Sequence, residues 1–332
     1  MIKKIIASLC ILLLLTAGIV AYYVWPVYDS LNDTDTPIGI YIDADDTQDS
    51  VCMKVGSPKR WDLLCRIMKA RPRTGYYTIR TGETVLDVYR KLRNGAQTPI
   101  NLTIPQVRTM DMLAGYLSRK LMLDSTMLSN SFRDTAFCSS IGYTPQTLPA
   151  LFIPNTYQMW WNTTFDKFIQ RMQKENSAFW NGDRTDLARK ASLTPVEVVT
   201  LASIVAEETA YVPEMPKVAG MYLRRLQIGM PLQADPTVKF ALGDFAMRRI
   251  YFKHLEVQSP YNTYINKGLP PGPIRIPSVK AIDAVLHHEQ HGYLYMCAKE
   301  DFSGSHNFAR TYSEHLANAR RYSHALNKRG IK

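Results

Sequence analysis

The segment Thr194–Ala210, TPVEVVTLASIVAEETA, predicts a core helix in the C-terminal part of the chain. Thr194 and Glu197 are spaced as a capping box, and Pro195 takes the first helical position, where its missing N–H would be unpaired anyway. The face that we expect to be buried consists of small and aliphatic side chains: Val198, Leu201, Ala202, Val205 and Ala206. Residues 191–332 around this helix have a mixed α/β pattern and contain most of the polar motifs.

Two adjacent carboxylates, Glu207 and Glu208, end this apolar stretch. Glu208 lies three and four positions after Val205 and Ile204, so the three side chains are neighbours on a helix. Apolar surroundings disfavour the carboxylate anion and keep the proton bound at higher pH, as a general acid requires. Glutamates on helices are usually solvated surface residues, and this alternative stays open on the evidence of the helix alone.

Further polar motifs follow the helix, and each permits a catalytic or a structural role. Gln233–Thr237, QADPT, places Asp235 before a proline, which favours a turn or a helix N-cap. Ser259–Tyr264, SPYNTY, precedes the stiff loop Gly268–Ile274, GLPPGPI. Gly304–Phe308, GSHNF, adds a histidine that could bind a sugar, orient an acid or serve the fold. Tyrosine rings and asparagine amides suit the faces and hydroxyls of sugars.

The N-terminus contains an uncharged apolar run, Ile5–Trp25. Its 21 residues would span about 31 Å as a helix, against a bilayer hydrocarbon core of about 30 Å. Lysines precede the run and aspartates follow it, which predicts a cytoplasmic N-terminus and an exported domain at the cell inner membrane. The alternative is a cleaved signal peptide, which the bulky aromatic end and the absence of a small-residue cleavage site disfavour.

The chain is therefore predicted to be an α+β protein with an N-terminal transmembrane helix, a LysM-like α+β subdomain and a mixed α/β catalytic domain. Residues 75–104 follow a strand–turn–helix–strand pattern that resembles a LysM-type glycan-binding unit, although a purely structural subdomain fits equally well. Thr84 and Asp87 would cap its helix and Gly95 would end it; another helix is expected around Arg60–Lys69. The predicted divisions are a cytoplasmic tail (1–4), the membrane helix (5–25), a linker (26–38), the LysM-like glycan-binding region (39–105), a largely helical connecting region (106–190) and the catalytic domain (191–332).

Composition, charge and cysteine content bear on which partners and cofactors the protein can have. The 332 residues are 46% apolar and 21% charged, so a sizeable core can be buried and no part has the composition of a disordered chain. The net charge of +11 permits nucleic acid, an anionic membrane face or an acidic polymer as partner, but no zinc-finger spacing or phosphate-binding loop supports nucleic acid. The cysteines outside the apolar run have no histidine at metal spacing, so we expect no metal or other cofactor. The disulfide pairing of these cysteines stays open: Cys52, Cys65, Cys138 and Cys297.

Together, the C-terminal motifs resemble the endolytic murein transglycosylase family, the YceG-like group. The matching pieces are LASIVAEET, RLQIGMPLQADPTV, SPYNTY, GLPPGPI and HNF, in the family's order and spacing, with weaker matches at GYYTIRTGETV and IPNTY. The resemblance covers about residues 39–325 and implies Glu208 as the catalytic acid, since the family's glutamate precedes a threonine. It also implies a substrate-binding set: Gln233, Asp235, Thr237, Tyr261, Asn262, Thr263, Tyr264, His306 and Phe308.

The sequence departs from the family pattern at two places. Ala206 stands where the family often has an acid, while Glu207 fills the next position, so either Glu207 or Glu208 could point into the cleft. The segment Ala150–Tyr157, ALFIPNTY, lacks the Glu-Gly that many members have before the corresponding aromatic motif.

The resemblance implies an enzyme, anchored by a single membrane span, that cuts the MurNAc–GlcNAc bond within nascent peptidoglycan strands, leaves 1,6-anhydro ends and so terminates glycan elongation. Penicillin-binding proteins, which synthesise the strands, are the candidate protein partners. One acid can suffice because the muramic acid 6-hydroxyl attacks within the same sugar. Two alternatives stay open: a hydrolase with Asp235 as second carboxylate, and a non-catalytic wall-binding scaffold built on the LysM-like region.

Overall fold

The structure, a computed structural model, describes residues 2–56, 61, 64, 65, 71–247 and 249–330. The chain divides into two compact units. Unit 1 contains the chain up to Leu102, with Arg119–Leu123 and Tyr157–Thr163. Unit 2 contains Thr103–Ser118, Asp124–Thr156 and the chain from Thr164 onward. The core helix and the polar motifs after it all belong to unit 2.

The N-terminal helix of unit 1, α1 (Ile2–Val24), is long and apolar enough over Lys3–Tyr22 to cross a membrane. None of this stretch is buried against the rest of the protein, which suits a surface that faces lipid. Length and composition of this kind are shared by membrane anchors and signal sequences.

The rest of unit 1 is a small α+β structure. Its elements are β1 (Ile38–Ile42), α2 (Gln48–Val55), β2 (Gly75–Ile79), α3 (Val85–Asn94), β3 (Ile100–Thr103) and β4 (Thr156–Met159). β1 and β2 are antiparallel, with Ile40 opposite Tyr77, and β3 pairs with β4. Alternate strand residues and one face of α3 form its apolar core: Ile40, Ile42, Tyr77, Ile79, Val85, Val88, Tyr89 and Leu92.

The strand–helix–strand unit predicted over residues 75–104 is present as β2, α3 and β3. Thr84 and Asp87 form the expected capping box, and Gly95 ends α3 in a left-handed conformation, so both local predictions are confirmed. β2 and β3 belong to different two-stranded sheets, and the LysM-like assignment stays a prediction. The helix expected around Arg60–Lys69 lies largely outside the described residues, although Trp61 is buried in the same core.

Unit 2 is mainly helical. Its elements are α4 (Met110–Lys120), α5 (Ser125–Arg133), α6 (Thr135–Ser140), α7 (Phe165–Phe179), α8 (Asp183–Lys190), α9 (Pro195–Glu208), α10 (Met215–Gln227), α11 (Asp235–Leu242), α12 (Phe252–Leu255), α13 (Val279–Leu286), β5 (Tyr295–Ala298), β6 (His306–Ala309) and α14 (Tyr312–Lys328). β5 and β6 form an antiparallel pair, with Tyr295 opposite Ala309. The mixed α+β character expected from the sequence is confirmed.

The core of unit 2 surrounds α9. The capping box of Thr194 and Glu197 is present, and the predicted apolar face is buried against α10 and α13. The buried hydroxyl of Ser203 accepts a hydrogen bond from the Ile274 N–H at 3.0 Å, which fixes the proline-rich loop on the helix. Gly272 is required in that loop, because a Cβ there would lie 2.1 Å from the carbonyl oxygen of Gln146.

The segments expected to form a connecting region and a catalytic domain share this core. Ala150 and Ala188 pack in the same apolar cluster as α9. The Ile276 N–H donates a hydrogen bond of 2.9 Å to the carbonyl oxygen of Val107. Long-range packing of this kind joins residues on both sides of position 190 in one compact unit.

Candidate active site

Glu208 is the last residue of α9 and is half-buried. The hydroxyl of Tyr222, a residue of α10 with only 2% of its surface exposed, donates a hydrogen bond of 2.7 Å to Oε1 of Glu208. Burial raises the pKa of Glu208 to about 7; the hydrogen bond from Tyr222 opposes this rise, and the negative charge of Asp235 adds to it. Glu208 therefore carries a proton in a large fraction of molecules at neutral pH.

Glu207 has entirely different surroundings. Nε and Nη2 of Arg108 donate to its two oxygens at 3.0 and 2.9 Å, and Nη1 of Arg275 donates at 2.8 Å. Two guanidinium groups form ion pairs with this carboxylate, and these contacts join the end of α9 to the segments around it. The geometry thus favours Glu208 over Glu207 as the proton donor.

Asp235, at the start of α11, is the carboxylate that acts electrostatically on Glu208. Its Oδ1 accepts a hydrogen bond of 2.5 Å from the hydroxyl of Tyr264. Burial of the Tyr264 ring, together with this bond, raises the pKa of its hydroxyl well above the usual value, so Tyr264 remains a neutral donor. The structure therefore brings residues of the QADPT and SPYNTY motifs to the same site as Glu208.

Gln233 is exposed and has a backbone φ of 48°, a conformation uncommon for a residue with a side chain. Its N–H donates a hydrogen bond of 3.0 Å to the carbonyl oxygen of Thr263, which holds the backbone in this conformation. Strained residues of this kind cluster at functional sites. The exposed amide side chain of Gln233 is available to a ligand.

Three residues predicted to bind substrate are buried and use their side chains within the protein. The hydroxyls of Thr237 and Thr263 lie 2.9 Å apart, and Thr263 also accepts a hydrogen bond from the Ala234 N–H at 3.0 Å. Asn262 donates through Nδ2 to the carbonyl oxygens of Leu255 and Val257 at 2.8 and 2.9 Å. These bonds fasten the two segments that contain Gln233, Asp235 and Tyr264.

His306 is oriented by a residue that the motifs did not reveal. Glu214, with 8% of its surface exposed, accepts the backbone N–H of His306 at 2.7 Å, and its other oxygen lies 2.7 Å from Nδ1 of the ring. A proton on Nδ1 satisfies this contact and leaves Nε2 for another partner. His306 and Phe308 line an open cavity of about 610 Å³.

Tyr261 packs on Phe240, with ring centroids 4.7 Å apart.

Tyr222 and Arg225 complete the site from α10, and sequence reasoning also missed them. The Arg225 guanidinium donates to the carbonyl oxygens of Leu294 and Leu232, each at 2.6 Å, so it ties α10 to the chain before β5 and before QADPT. Its positive charge, like that of a protonated His306, lowers the pKa of Glu208. One feature of the sequence pointed to this role. Tyr222 and Arg225 are three residues apart on one face of α10, and the other residues of that face are apolar.

This arrangement can supply acid–base chemistry. One carboxyl group with a pKa near neutrality lies among tyrosine hydroxyls, a second carboxylate, a guanidinium and a histidine. Within residues 2–56, 71–247 and 249–330, together with 61, 64 and 65, no group of three or more His, Cys, Asp or Glu side chains is placed to hold a metal ion.

Known proteins are similar to this chain in sequence. The sequence profile described as the YceG-like family matches residues 48–321. An endolytic murein transglycosylase of Bacillus subtilis (strain 168) is 28% identical to this chain over 273 residues, which are 77% of this chain and 74% of that protein. A protein of the same name from Streptococcus pneumoniae serotype 2 is 26% identical over 68% of this chain, and this chain spans 46% of its length.

The fold is also similar to a solved structure. The crystal structure of a YceG-like protein from Listeria monocytogenes matches 86% of this chain and 99% of its own chain, with a TM-score of 0.60 and 24% sequence identity. The family profile extends from unit 1 to α14 and includes every motif at the site. The chain belongs to the YceG-like family.

Proposed function

We propose that this chain is an endolytic lytic transglycosylase that cuts peptidoglycan strands at the MurNAc–GlcNAc bond and leaves 1,6-anhydroMurNAc ends. The observation that carries the proposal is the environment of Glu208, a half-buried residue whose carboxyl group has a pKa of about 7 and accepts a hydrogen bond from Tyr222. The names of the Bacillus and Streptococcus relatives support the same activity. Such cleavage within nascent strands would terminate their elongation.

In the first step, protonated Glu208 donates its proton to the glycosidic oxygen. The bond between that oxygen and the anomeric carbon of MurNAc breaks, GlcNAc leaves with a free hydroxyl, and positive charge develops at the anomeric carbon. The Asp235 carboxylate, held by Tyr264, supplies negative charge at the site as this positive charge forms. Gln233 and His306 have polar groups available to position the sugars.

In the second step, Glu208 is an anion and acts as a base. It takes the proton from the 6-hydroxyl of the same MurNAc, and the oxygen of that hydroxyl bonds to the anomeric carbon. Glu208 is thereby protonated again, the anhydro ring closes, and no water is consumed. The hydroxyl of Tyr222 stabilises the anion between the two steps, and the intramolecular attack benefits from a high effective concentration.

A hydrolase is the second candidate, because Asp235 offers a second carboxylate that could activate water. Mass analysis of products from purified glycan strands separates the two reactions. The transglycosylase gives MurNAc ends that are lighter by one water than the reducing ends of a hydrolase. Reducing ends alone would contradict the proposed reaction, and the absence of any cleavage would favour a non-catalytic scaffold.

We also propose that α1 stays attached as a single membrane span, with its N-terminus in the cytoplasm and both units outside the inner membrane. Lys3 and Lys4 before the apolar stretch and aspartates after it support this orientation. Protease added to spheroplasts should digest the units. Full protection of the units, or a mature N-terminus beyond residue 25, would contradict this topology.

The LysM-like region is proposed to bind glycan strands and to place them for cleavage. The exposed face of α3 offers Arg90 and Asn94 for this contact. Their replacement by alanine should weaken strand binding and leave the turnover number at saturating substrate unchanged; a fall in turnover without weaker binding would refute a positioning role. Penicillin-binding proteins, as the source of nascent strands, are the proposed protein partners, and co-purification from cross-linked cells would test this.

A further inference from the structure

Residues 249–253, RIYFK, form an exposed aromatic–basic segment in unit 2 that the proposed chemistry does not use. Phe252 has 88% of its surface exposed and Tyr251 has 54%. Between positions 245 and 255 the sequence contains arginines and a lysine and no aspartate or glutamate. A large apolar ring that is exposed to this extent, beside basic side chains, normally marks a contact surface.

The segment is ordered by local contacts, so the exposure of its rings is built into the fold. The Tyr251 N–H donates to Nδ1 of His254 at 3.1 Å, and the His254 N–H donates to the carbonyl oxygen of Tyr251 at 2.8 Å. The guanidinium of Arg249 lies 5.5 Å from the centre of the Tyr251 ring. A cation and an aromatic ring are therefore presented together, next to Phe252 at the start of the short helix α12.

The kind of partner follows from shape and charge. Sugars and small ligands bind in concave sites whose walls enclose them, and a ring with 88% of its surface exposed has no such wall beside it. Aromatic rings flanked by arginine and lysine suit the interface of a bilayer, where rings enter the headgroup region and cations meet anionic lipids. A bilayer is also the surface to which α1, with the length and composition of a membrane span, is proposed to attach the chain.

We propose that residues 249–253 dock on the anionic surface of a phospholipid bilayer, with Phe252 and Tyr251 in the headgroup region and Arg249 and Lys253 against lipid phosphates. This contact is a second attachment of the protein to the membrane, separate from α1 and independent of the proposed reaction.

The docking segment is directly connected to the candidate active site. Asn262, which is completely buried, donates to the carbonyl oxygen of Leu255, the last residue of α12, and to that of Val257, two residues later. The same side chain accepts the N–H of Tyr264 at 3.0 Å, and Tyr264 in turn holds Asp235. A bilayer contact at residues 249–253 therefore sets the height of the site above the membrane.

The test uses the full chain reconstituted in vesicles, so that α1 remains in place. A photoreactive benzophenone side chain replaces Phe252 in one protein and Met112 in a control, since Met112 is also exposed (47%) and follows an acidic residue. After illumination, lipid attached to each protein is measured by mass spectrometry. The vesicles contain phosphatidylglycerol and phosphatidylethanolamine in one series and only phosphatidylcholine in the other.

We expect lipid attachment at position 252 and not at position 112 in the anionic vesicles. Each basic side chain near an anionic surface strengthens binding about fivefold, so the double variant R249E/K253E and the neutral vesicles should each lower attachment about tenfold or more. Equal attachment at positions 252 and 112 would overturn the proposal. So would attachment at position 252 that is lowered neither in the R249E/K253E variant nor in the neutral vesicles. If glycan strands are added and become attached at position 252 in place of lipid, the segment is a glycan contact and the membrane proposal is wrong.

Discussion

Replacement of Glu208 by glutamine should stabilise the protein, and the effect should depend on pH. The pKa of Glu208 is about 7 in the folded protein and 4.5 for a free glutamate. The folded state therefore binds this proton more tightly than the unfolded state, so its contribution to stability is complete below pH 4.5 and is lost as pH rises to about 7. Glutamine fills the same space, accepts the hydrogen bond from Tyr222 and cannot ionise.

The size of the effect follows from these two pKa values. With one pKa unit equal to about 1.4 kcal/mol, the stability advantage of Glu208→Gln over wild type should grow by about 2.5 kcal/mol between pH 5 and pH 8. For a unit of roughly 200 residues this corresponds to a gain of about 5–10 °C in melting temperature at pH 8 relative to pH 5.

The assay is thermal unfolding of the detergent-solubilised full chain, followed by circular dichroism at both pH values. Glu207→Gln is the matched control, because it makes the same substitution at the adjacent position. Unlike Glu208→Gln, it loses the ion pairs with Arg108 and Arg275. It should lower the melting temperature at both pH values. A gain for Glu208→Gln that is the same at pH 5 and pH 8, or no gain, would refute the raised pKa and the reasoning built on it.

Three further predictions concern the groups around Glu208. Tyr222→Phe removes a hydrogen bond to the Glu208 anion, and such a bond to a charged acceptor contributes about 1.5–3 kcal/mol. The alkaline limb of the pH–rate profile should therefore move up from about pH 7 by about one pH unit or more. An unchanged limb would contradict the role of Tyr222. Glu207→Gln should cost about 1–3 kcal/mol of stability through its lost ion pairs and keep most of the turnover number at 25 °C, whereas a dead but folded variant would move the catalytic assignment to Glu207. Glu214→Gln weakens the contact that orients His306 and should lower turnover about 10- to 100-fold with little change in the pH limb set by Glu208, and full activity would show that His306 needs no such support.

Local features of the fold were predictable because they depend on residues within a few positions of one another. The capping boxes at Thr84 and Thr194, the stop at Gly95 and the buried face of α9 all follow from short-range spacing. The joining of residues 106–190 and 191–332 in one unit was not predictable, because it depends on packing such as that of Ala150 and Ala188 against α9. Such contacts leave no periodic signal in either segment.

The candidate site shows the same division. Glu208, Asp235 and Tyr264 lie in distinctive motifs, and the structure brings them together. Tyr222 and Glu214 lie outside those motifs, and their roles depend on how α10 and its preceding turn pack against α9 and β6. A glutamate after a proline has the pattern of a surface residue until its partner, His306, is located in space.

Other members of the predicted substrate-binding set have internal partners in the structure. Thr237, Asn262 and Thr263 are buried, and their hydrogen bonds shape the loops that present neighbouring residues. Residue type alone does not distinguish a small polar residue that binds a ligand from one that hydrogen-bonds to the backbone. Substrate binding by these residues stays a prediction, and binding measurements on Thr237→Val and Asn262→Ala, with melting temperature as control, would address it.

The most direct test of the central claim is the rate at which Glu208→Gln cleaves purified glycan strands, measured beside wild type and Glu207→Gln at pH 6 and 25 °C. General acid–base catalysis contributes about 100- to 10,000-fold, and we expect a loss at the upper end of this range, because one group acts as both acid and base. The variant should still bind strands and should melt at or above the temperature of wild type. A folded Glu208→Gln protein that cleaves strands at more than about a tenth of the wild-type rate would contradict the account and make Asp235 the next candidate for the catalytic acid.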